Sequence, residues 1–492
     1  MANRSGSDST RSVSTSLTRR TGAGSPTAAV GSTMPTILPL ILPRDTINVG
    51  VNDFSYENIY ERMNAMSSAE GIEAAPVAGE PPPPLRRNRR FQLLWIGSTV
   101  GFLGSEAAEV TYPLVILAVT GSPAQAGLFA FVQLLAGVVL ALPAGEVVDR
   151  WDCRRVLLLA DGGRALTAGS VAVALMAGHL TMVHLVAAAA VLGAGSAFGG
   201  PARMLVVRAV VPSSQLTAAL TQEEVRNSAA GLAGPPLGGL LYGLKQILPF
   251  LFCSVSFAVS WFCILIVRTP ARITSSTADP APENEAGGLL IGVKTLWNDP
   301  VLRSATFAVT ALNAAGAPLV LIATIILQRQ HTPSWIIGTV MAGLALGGLA
   351  GAALVGPLHR RLRPGVLLVG VVVMQVPVFA ALVLPFGPWW VMAVLGFAML
   401  GVPALGVLID VLVFRGVPAD RLGRVIASAS MLFGLGGPLG AVGAGLMLQY
   451  LSVSTTMLVF AAMLGVTGAY AASRKHLREA PWPIAAAQPP LR

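Results

Sequence analysis

Glu106 and Glu109 stand three residues apart in the apolar run that begins at Phe91, with Ser105 just before them and Tyr112 just after. On a helix that spacing places both carboxyls on one face, and Ser105 and Tyr112 extend the polar stripe. At ~1.5 Å per residue, Glu106 falls near the middle of the run. An ionisable side chain at mid-membrane costs roughly 2.5–3.5 kcal/mol on insertion scales, so each one needs a reason to be there. Two carboxylates on one face repel, and binding a proton or a cationic solute relieves the repulsion. A pair that binds either one can couple the two. Asp161 and Arg164, also three apart, lie in a later apolar run and can neutralise each other. A fixed packing network in which the glutamates face Arg164 is the plainer alternative. Gln222, Glu223, Arg226 and Asn227 are equally well explained as a solvated helix end, and Asn313, Gln328 and Gln375 are further candidates for lining a cavity.

The chain that carries these residues is not built for water. Of its 492 residues 54% are hydrophobic and only 11% charged, with a mean hydropathy of +0.69. Soluble domains carry about 25% charged residues, so the bilayer must be the solvent here. The 53 glycines and the low aromatic share of 6% suit helices packed through small residues. No ten-residue alternating segments of the kind that build a β-barrel occur. Cys153, Cys253 and Cys263 form no CxxC pair and sit on or within apolar segments, as buried bystander thiols do. Neither a metal site nor a cofactor is expected.

From Phe91 the chain divides into about twelve apolar segments, each near the ~20 residues that a spanning helix needs. They cover residues 91–118, 123–147, 155–178, 181–207, 218–243 and 246–267, then 301–327, 334–358, 365–386, 388–414, 423–448 and 452–473. The expected class is therefore an all-α membrane protein with twelve transmembrane helices. Its divisions are a disordered tail (1–90), a six-helix half (91–268), a linker (269–299), a second six-helix half (300–473) and a C-terminal tail (474–492). Basic residues gather at alternate turns. Arg86 to Arg90 precede span one, Arg150, Arg154 and Arg155 follow span two, Arg360, Arg361 and Arg363 follow span eight, and Arg474, Lys475 and Arg478 close span twelve. The other loops hold only Lys245 and Arg329. This asymmetry places both termini and all the charged turns in the cytoplasm, beneath the plasma (inner) membrane. It also accounts for the net charge of +10 without nucleic acid as a partner.

The two halves repeat each other. Arg208, Pro212, Gln215 and Leu216 after span four answer Arg415, Pro418, Arg421 and Leu422 after span ten. Gly234-Pro235-Pro236-Leu237-Gly238-Gly239 in span five answers Gly436-Gly437-Pro438-Leu439-Gly440-Ala441 in span eleven. Both halves start on the same side, so the repeat is parallel and its two-fold axis is normal to the membrane. The offset that matches Arg208 to Arg415 takes Arg203 to Asp410. Those two are expected either to pair as a gate when the cytoplasmic mouth closes or each to snorkel to the interface alone. Pro235 and Pro236 should bend span five, and Gly343, Gly347 and Gly351 should give span eight a flat face.

Between spans two and three the chain reads LPAGEVVDRWDCRR, with Gly145, Asp149, Arg150, Arg154 and Arg155 in the pattern G-x-x-x-D-R-x-x-x-R-R. This resembles the loop motif of major facilitator superfamily transporters, and Gly234, Pro235, Gly238 and Gly239 resemble the Gly-Pro motif of its exporter branches. Thr120-Gly121-Ser122 and Val211-Pro212, with Gln215 and Leu216, look like the branch containing the enterobactin exporter and the macrolide-efflux proteins. Cys153 stands where the loop motif has glycine, Ala230 replaces a glycine upstream in span five, and span four lacks the mid-helix arginine motif of many proton antiporters. The resemblance implies that Asp149 engages the start of span eleven as a latch on the outward-facing state. The repeat has Gly356 and Arg361 opposite Gly145 and Arg150, but Arg360 opposite Asp149. A helix N-terminus favours an anion, so only the first half keeps the full latch.

No H-E-x-x-H, G-x-S-x-G or phosphate-cradling G-x-x-x-x-G-K-[ST] motif occurs, which argues against an enzyme and against direct ATP drive. The reading that follows is a monomeric secondary active exporter of a small amphipathic molecule (a drug, an antibiotic or a siderophore) by proton-coupled antiport and alternating access. An importer of the same fold and a non-transporting receptor or scaffold are the alternatives.

Overall fold

A computed structural model of the chain describes residues 84–267, 285–416 and 422–478, with the side chains of 285–291, 413–416 and 422–424 outside that set. The expected tail up to residue 83, the linker residues 268–284, the C-terminal segment from 479 and the side chain of Arg415 therefore lie outside the described residues. The first half comprises α1 (Arg89–Thr120), α2 (Pro123–Arg150), α3 (Cys153–Met176), α4 (Met182–Val210), α5 (Leu216–Leu244) and α6 (Leu248–Ile266). After α7 (Glu285–Asn298) come α8 (Pro300–Gly316), α9 (Leu319–Arg329), α10 (Ser334–Arg361), α11 (Pro364–Ala381), α12 (Pro388–Met399), α13 (Val402–Gly416), α14 (Leu422–Tyr450), α15 (Val453–Ser473) and the single turn α16 (Lys475–Arg478).

Local chemistry sets the helix ends. Backbone groups in lipid must be satisfied within the segment, so the caps matter. Asn88, Ser122, Asp152, Thr181, Asp299 and Ser452 each accept a backbone N–H at the start of the following helix. Gly121 ends α1 in the left-handed conformation at φ 65°. Large apolar side chains face outward, with Leu166 77%, Val183 80% and Val466 71% exposed, as on a surface solvated by acyl chains.

Among the described residues, eleven segments are long and apolar enough to cross a membrane. Against the twelve spans expected, the one that fails this test of length and composition is α5. It has 29 residues, but Gln222, Glu223, Glu224, Arg226 and Asn227 crowd its first half and glycine and proline its second. It is flanked by α1 on one side and α10 on the other, while Val225, Leu240 and Leu244 remain exposed. Within the expected linker, α7 folds and packs against α14.

Packing follows the repeat. In the first half α1 pairs with α5 and α6, α2 with α4, and α3 with α4 and α6. In the second, α8 pairs with α14 and α15, α10 with α12, and α11 with α12 and α15. Across the halves, α2 packs on α14 and α5 on α10, two contacts that a two-fold axis would exchange. Both rest on glycine. A Cβ at Gly127 of α2 would come within 2.7 Å of the Ala441 carbonyl and of Gly445 Cα, and one at Gly239 of α5 within 2.9 Å of Gly338 Cα in α10. These contacts, with the Ser122 Oγ to Gln449 Oε1 hydrogen bond of 2.8 Å, lie at the end away from the charged turns. Among the described residues, the glycine contacts between the halves reach mid-helix, where Gly434 meets Val138. Towards the charged end Leu142, Asp149 and Arg150 of α2 are exposed. Among the described residues, the halves therefore meet at the far end and stand apart at the charged end.

Candidate functional site

Asp161 of α3 is fully buried, and two arginines share it. Arg203 Nη2 of α4 lies 3.2 Å from its carboxylate and Arg164 Nη1 3.8 Å away, while the Ser260 hydroxyl of α6 donates to it at 2.7 Å. Arg164 also donates to Ser196 Oγ at 3.1 Å and stacks 5.2 Å above the Phe257 ring. The expected Asp161–Arg164 pair thus exists, but Arg203 holds the shorter contact. Arg203, expected opposite Asp410, is engaged within its own half in this conformation. Asp410 lies on the wall of a separate cavity, bounded by the second half and by Leu134 and Val138 of α2.

Arg164, Arg203 and Arg226 line a cavity of about 350 Å³ in the first half, together with Ser105 and Glu223. Here the solvated-end reading of α5 gives way. Arg226 is 5% exposed, sits 2.7 Å from Glu223 and 2.8 Å from Asn227, and lies beneath the Phe102 ring. A cation buried to that degree needs such partners.

Glu109 accepts a hydrogen bond from Gln133 Nε2 of α2 at 3.1 Å. Glu106 makes no hydrogen bond or ion pair among the described residues, and neither glutamate is paired with Arg164. The space for Glu106 comes from Gly234, where any side chain would overlap the Glu106 Cβ. Gly238 sits equally close to the Ala107 carbonyl. Pro235 and Gly239 turn the other way, onto α10. The Gly234, Pro235, Pro236, Gly238, Gly239 stretch lies within one continuous helix packed between α1 and α10. Tyr112 also departs from expectation. It is 3% exposed, packed between the Phe129 and Phe250 rings, and belongs to the core rather than the polar stripe.

The repeat gives Glu106 a counterpart. Gly436 and Gly440 of α14 meet Thr310 and Ala314 of α8 as Gly234 and Gly238 meet Glu106 and Ala107, so Asn313 occupies the place of Glu106. Asn313 donates to the Phe433 carbonyl at 2.8 Å on the wall of a cavity of about 800 Å³. That cavity is overwhelmingly apolar, lined by residues such as Leu134, Val309, Phe379, Leu405 and Phe433, with Asp410 the one ionisable group among its described lining residues. Two spans break at its wall. Span seven stops at Gly316 and resumes at Leu319, and span ten stops at Met399 and resumes at Val402. Gln375 donates to the Ala398 carbonyl at 2.7 Å beside the second break. Irregular backbone at membrane depth is tolerated where it is buried or lines a cavity. Sequence reasoning missed both breaks, although Gly316-Ala317-Pro318 and Gly401-Val402-Pro403 are the signals that mark them.

The loop between α2 and α3 is tied down at three places. Arg150 pairs with Glu146 at 2.7 Å, and Arg155 with Asp152 at 3.7 Å. Arg154 donates to the Ile264 and Leu265 carbonyls at 3.2 and 2.6 Å, capping α6. Cys153, in place of the motif's glycine, directs its thiol to the Val148 carbonyl at 3.4 Å. Gly145 has open space where a side chain would stand. Asp149 makes no hydrogen bond or ion pair among the described residues and is exposed at the end of α2.

Residues 94–441 match the sequence pattern of the Major Facilitator Superfamily. The chain belongs to that family. Facilitator-superfamily membership makes it a multi-pass plasma-membrane protein and a secondary-active transporter of small solutes by alternating access, not an enzyme. Its relatives include exporters. It is 26% identical to the multidrug efflux pump Tap of Mycolicibacterium fortuitum over 410 residues, 80% of this chain and 97% of that protein. It is 25% identical to the enterobactin exporter EntS of Citrobacter koseri over 354 residues, 69% of this chain and 81% of that one. Among solved folds, the nucleoside transporter NupG superposes with a TM-score of 0.62 at 16% identity, over 78% of this chain and 98% of that one.

Proposed function

We propose that the protein exports a small amphipathic molecule, cationic at one end, in exchange for protons, as a member of the branch that contains the enterobactin and macrolide exporters. The observation that carries this reading is a pairing of opposites. Glu106 is held in the first half without a counter-cation among the described residues, and its repeat mate Asn313 lines an apolar cavity of about 800 Å³ bounded by the second half and by Leu134 and Val138 of α2. A lipophilic body suits the apolar wall and an amine suits the glutamate pair. A proton and the amine would then compete for one carboxylate, which couples their movements. With the charged turns in the cytoplasm, the parted end faces inward, ready to load. Asp149 stands free in that state, as a latch for the outward-facing state would. The relatives named as efflux pump and exporter support the direction.

Cells lacking the protein should retain more of a lipophilic cationic dye than cells expressing it, and a protonophore should remove the difference. Equal retention in both cell types would end the export reading, and a difference that survives the protonophore would end proton coupling.

Arg203 and Asp410 are proposed as the gate, with Arg203 exchanging Asp161 for Asp410 as the charged end closes. Because Arg203 also serves Asp161, exchanging the two charges is not expected to restore function. Asp410→Asn, which leaves Asp161 untouched, should instead enrich the state seen here. Spin labels at Arg208 and Arg360 should report more of the long charged-end distance. An unchanged distance distribution would remove Asp410 from the gate.

A further inference from the structure

Along the outer face of the second half, α8, α14 and α15 leave a groove of about 670 Å³, separate from both cavities above. Leu439 and Val466, 62% and 71% exposed, flank it. The Thr310 and Thr467 hydroxyls on its surface already donate to the Leu432 and Met463 carbonyls, so they do not make it polar. From Phe460 to Tyr470 on α15 the groove runs ~15 Å at the helical rise, about the depth of one leaflet of a ~30 Å hydrocarbon core. Its end towards the charged turns is rimmed by rings. Trp297 meets Phe307 at 5.6 Å and Phe307 meets Tyr470 at 6.3 Å, both edge to face. The Arg474 guanidinium is stacked 4.6 Å over Tyr470, just beyond the rim. Lys475 and Arg478 follow it, all three are exposed, and none is in an ion pair with a described residue.

We propose that this groove holds one acyl chain of an anionic glycerophospholipid, with its phosphate on Arg474. Depth, apolar lining and aromatic rim match a chain that enters from the leaflet at the charged end. Arg474 at the rim, with Lys475 and Arg478 next in sequence and no ion pair to any of them among the described residues, selects a headgroup of net negative charge. Stacking on Tyr470 holds the Arg474 guanidinium in place for a phosphate. The proposal rests on the chain's place in the membrane and is independent of the direction of transport.

The test uses the full chain in phosphatidylcholine nanodiscs doped with phosphatidylglycerol or phosphatidylcholine carrying a photoreactive acyl chain, followed by peptide mapping. Phosphatidylglycerol should label the α14 and α15 peptides about fivefold more than phosphatidylcholine. A Cβ at Gly443 meets nothing within 4 Å, so a side chain can start into the groove there; Gly443→Leu should occupy it, and labelling there should vanish. Arg474→Gln should lower phosphatidylglycerol labelling to the phosphatidylcholine level, while Arg474→Lys should keep most of it. Position 474 follows the end of α15, so this pair of variants decides the matter even if Gly443→Leu does not purify. Equal labelling by both lipids, or labelling indifferent to Arg474→Gln, would reduce the groove to ordinary lipid contact and overturn the proposal. Displacement of the label by the exported dye would give the groove to the solute, and would overturn it too.

Discussion

Asp161→Ala should destabilise the protein by about 3–5 kcal/mol, the usual loss when one partner of a buried ion pair is removed. Arg164 and Arg203, with side chains only 14% and 16% exposed, would remain where they are without a counter-charge. Ser260 would lose its acceptor as well. Asp161→Asn should fall between that variant and the parent, because it keeps an acceptor oxygen and loses only the charge. Thermal unfolding in detergent, followed with a thiol-reactive dye that reports exposure of the buried Cys253 and Cys263, measures the difference. Glu146→Ala is the control. Its pair with Arg150 is exposed at the surface and contributes at most about 1 kcal/mol. An Asp161→Ala protein as stable as the parent would mean that the arginines find other partners, and the network described here would not be what holds the first half.

The second large effect concerns coupling. Glu106→Gln keeps the shape of the side chain and removes its charge. A hydrogen bond to a charged group contributes about 1.5–3 kcal/mol, so the affinity for a cationic dye should fall about 10- to 150-fold. The acceleration of efflux by a proton gradient should vanish with it. Glu109→Gln should do less, since Gln133 already occupies that carboxylate. Dye binding by fluorescence quenching and pH-jump transport in proteoliposomes separate the two. A Glu106→Gln protein that still responds to a pH jump would take proton coupling away from this residue.

How much of this was legible in the sequence depended on whether a pattern was local. The spans, the charged turns and the parallel repeat could be read directly, because hydropathy, positive charge and motif matches need no knowledge of contacts. The pairing of Asp161 with Arg164 was visible for the same reason, being a matter of helical spacing. Its closer partner Arg203 was not, since it arrives from the next helix, 42 residues on. The reading of Arg226 stayed open, because charge at a helix start resembles a solvated end unless the packing partners are known. Phe102, which covers it, comes from α1. Tyr112 shares the spacing of the glutamate stripe, and only the rings of Phe129 and Phe250 place it in the core. The breaks in spans seven and ten had a visible proline each, but proline also occurs inside unbroken helices here, at Pro113, Pro143 and Pro201. What distinguishes Pro318 and Pro403 is the cavity beside them, and a cavity is not written in one helix.

The glycine contacts between the halves bear on the temperature behaviour of the transport cycle. Gly127 against Gly445, and Gly239 against Gly338, meet backbone to backbone. Glycine has no side-chain rotamers to freeze, so closing or opening this seal involves almost no side-chain conformational entropy. It is held instead by dispersion between many close atom pairs, an enthalpic attraction. Breaking this seal therefore costs enthalpy with little side-chain entropy to offset it, so warming should by itself favour the state in which the far end is open. The far-end seal is then a heat-sensitive part of the cycle in its own right, alongside the charged mouth, where ionisable groups such as Asp149 and Arg150 are covered and uncovered.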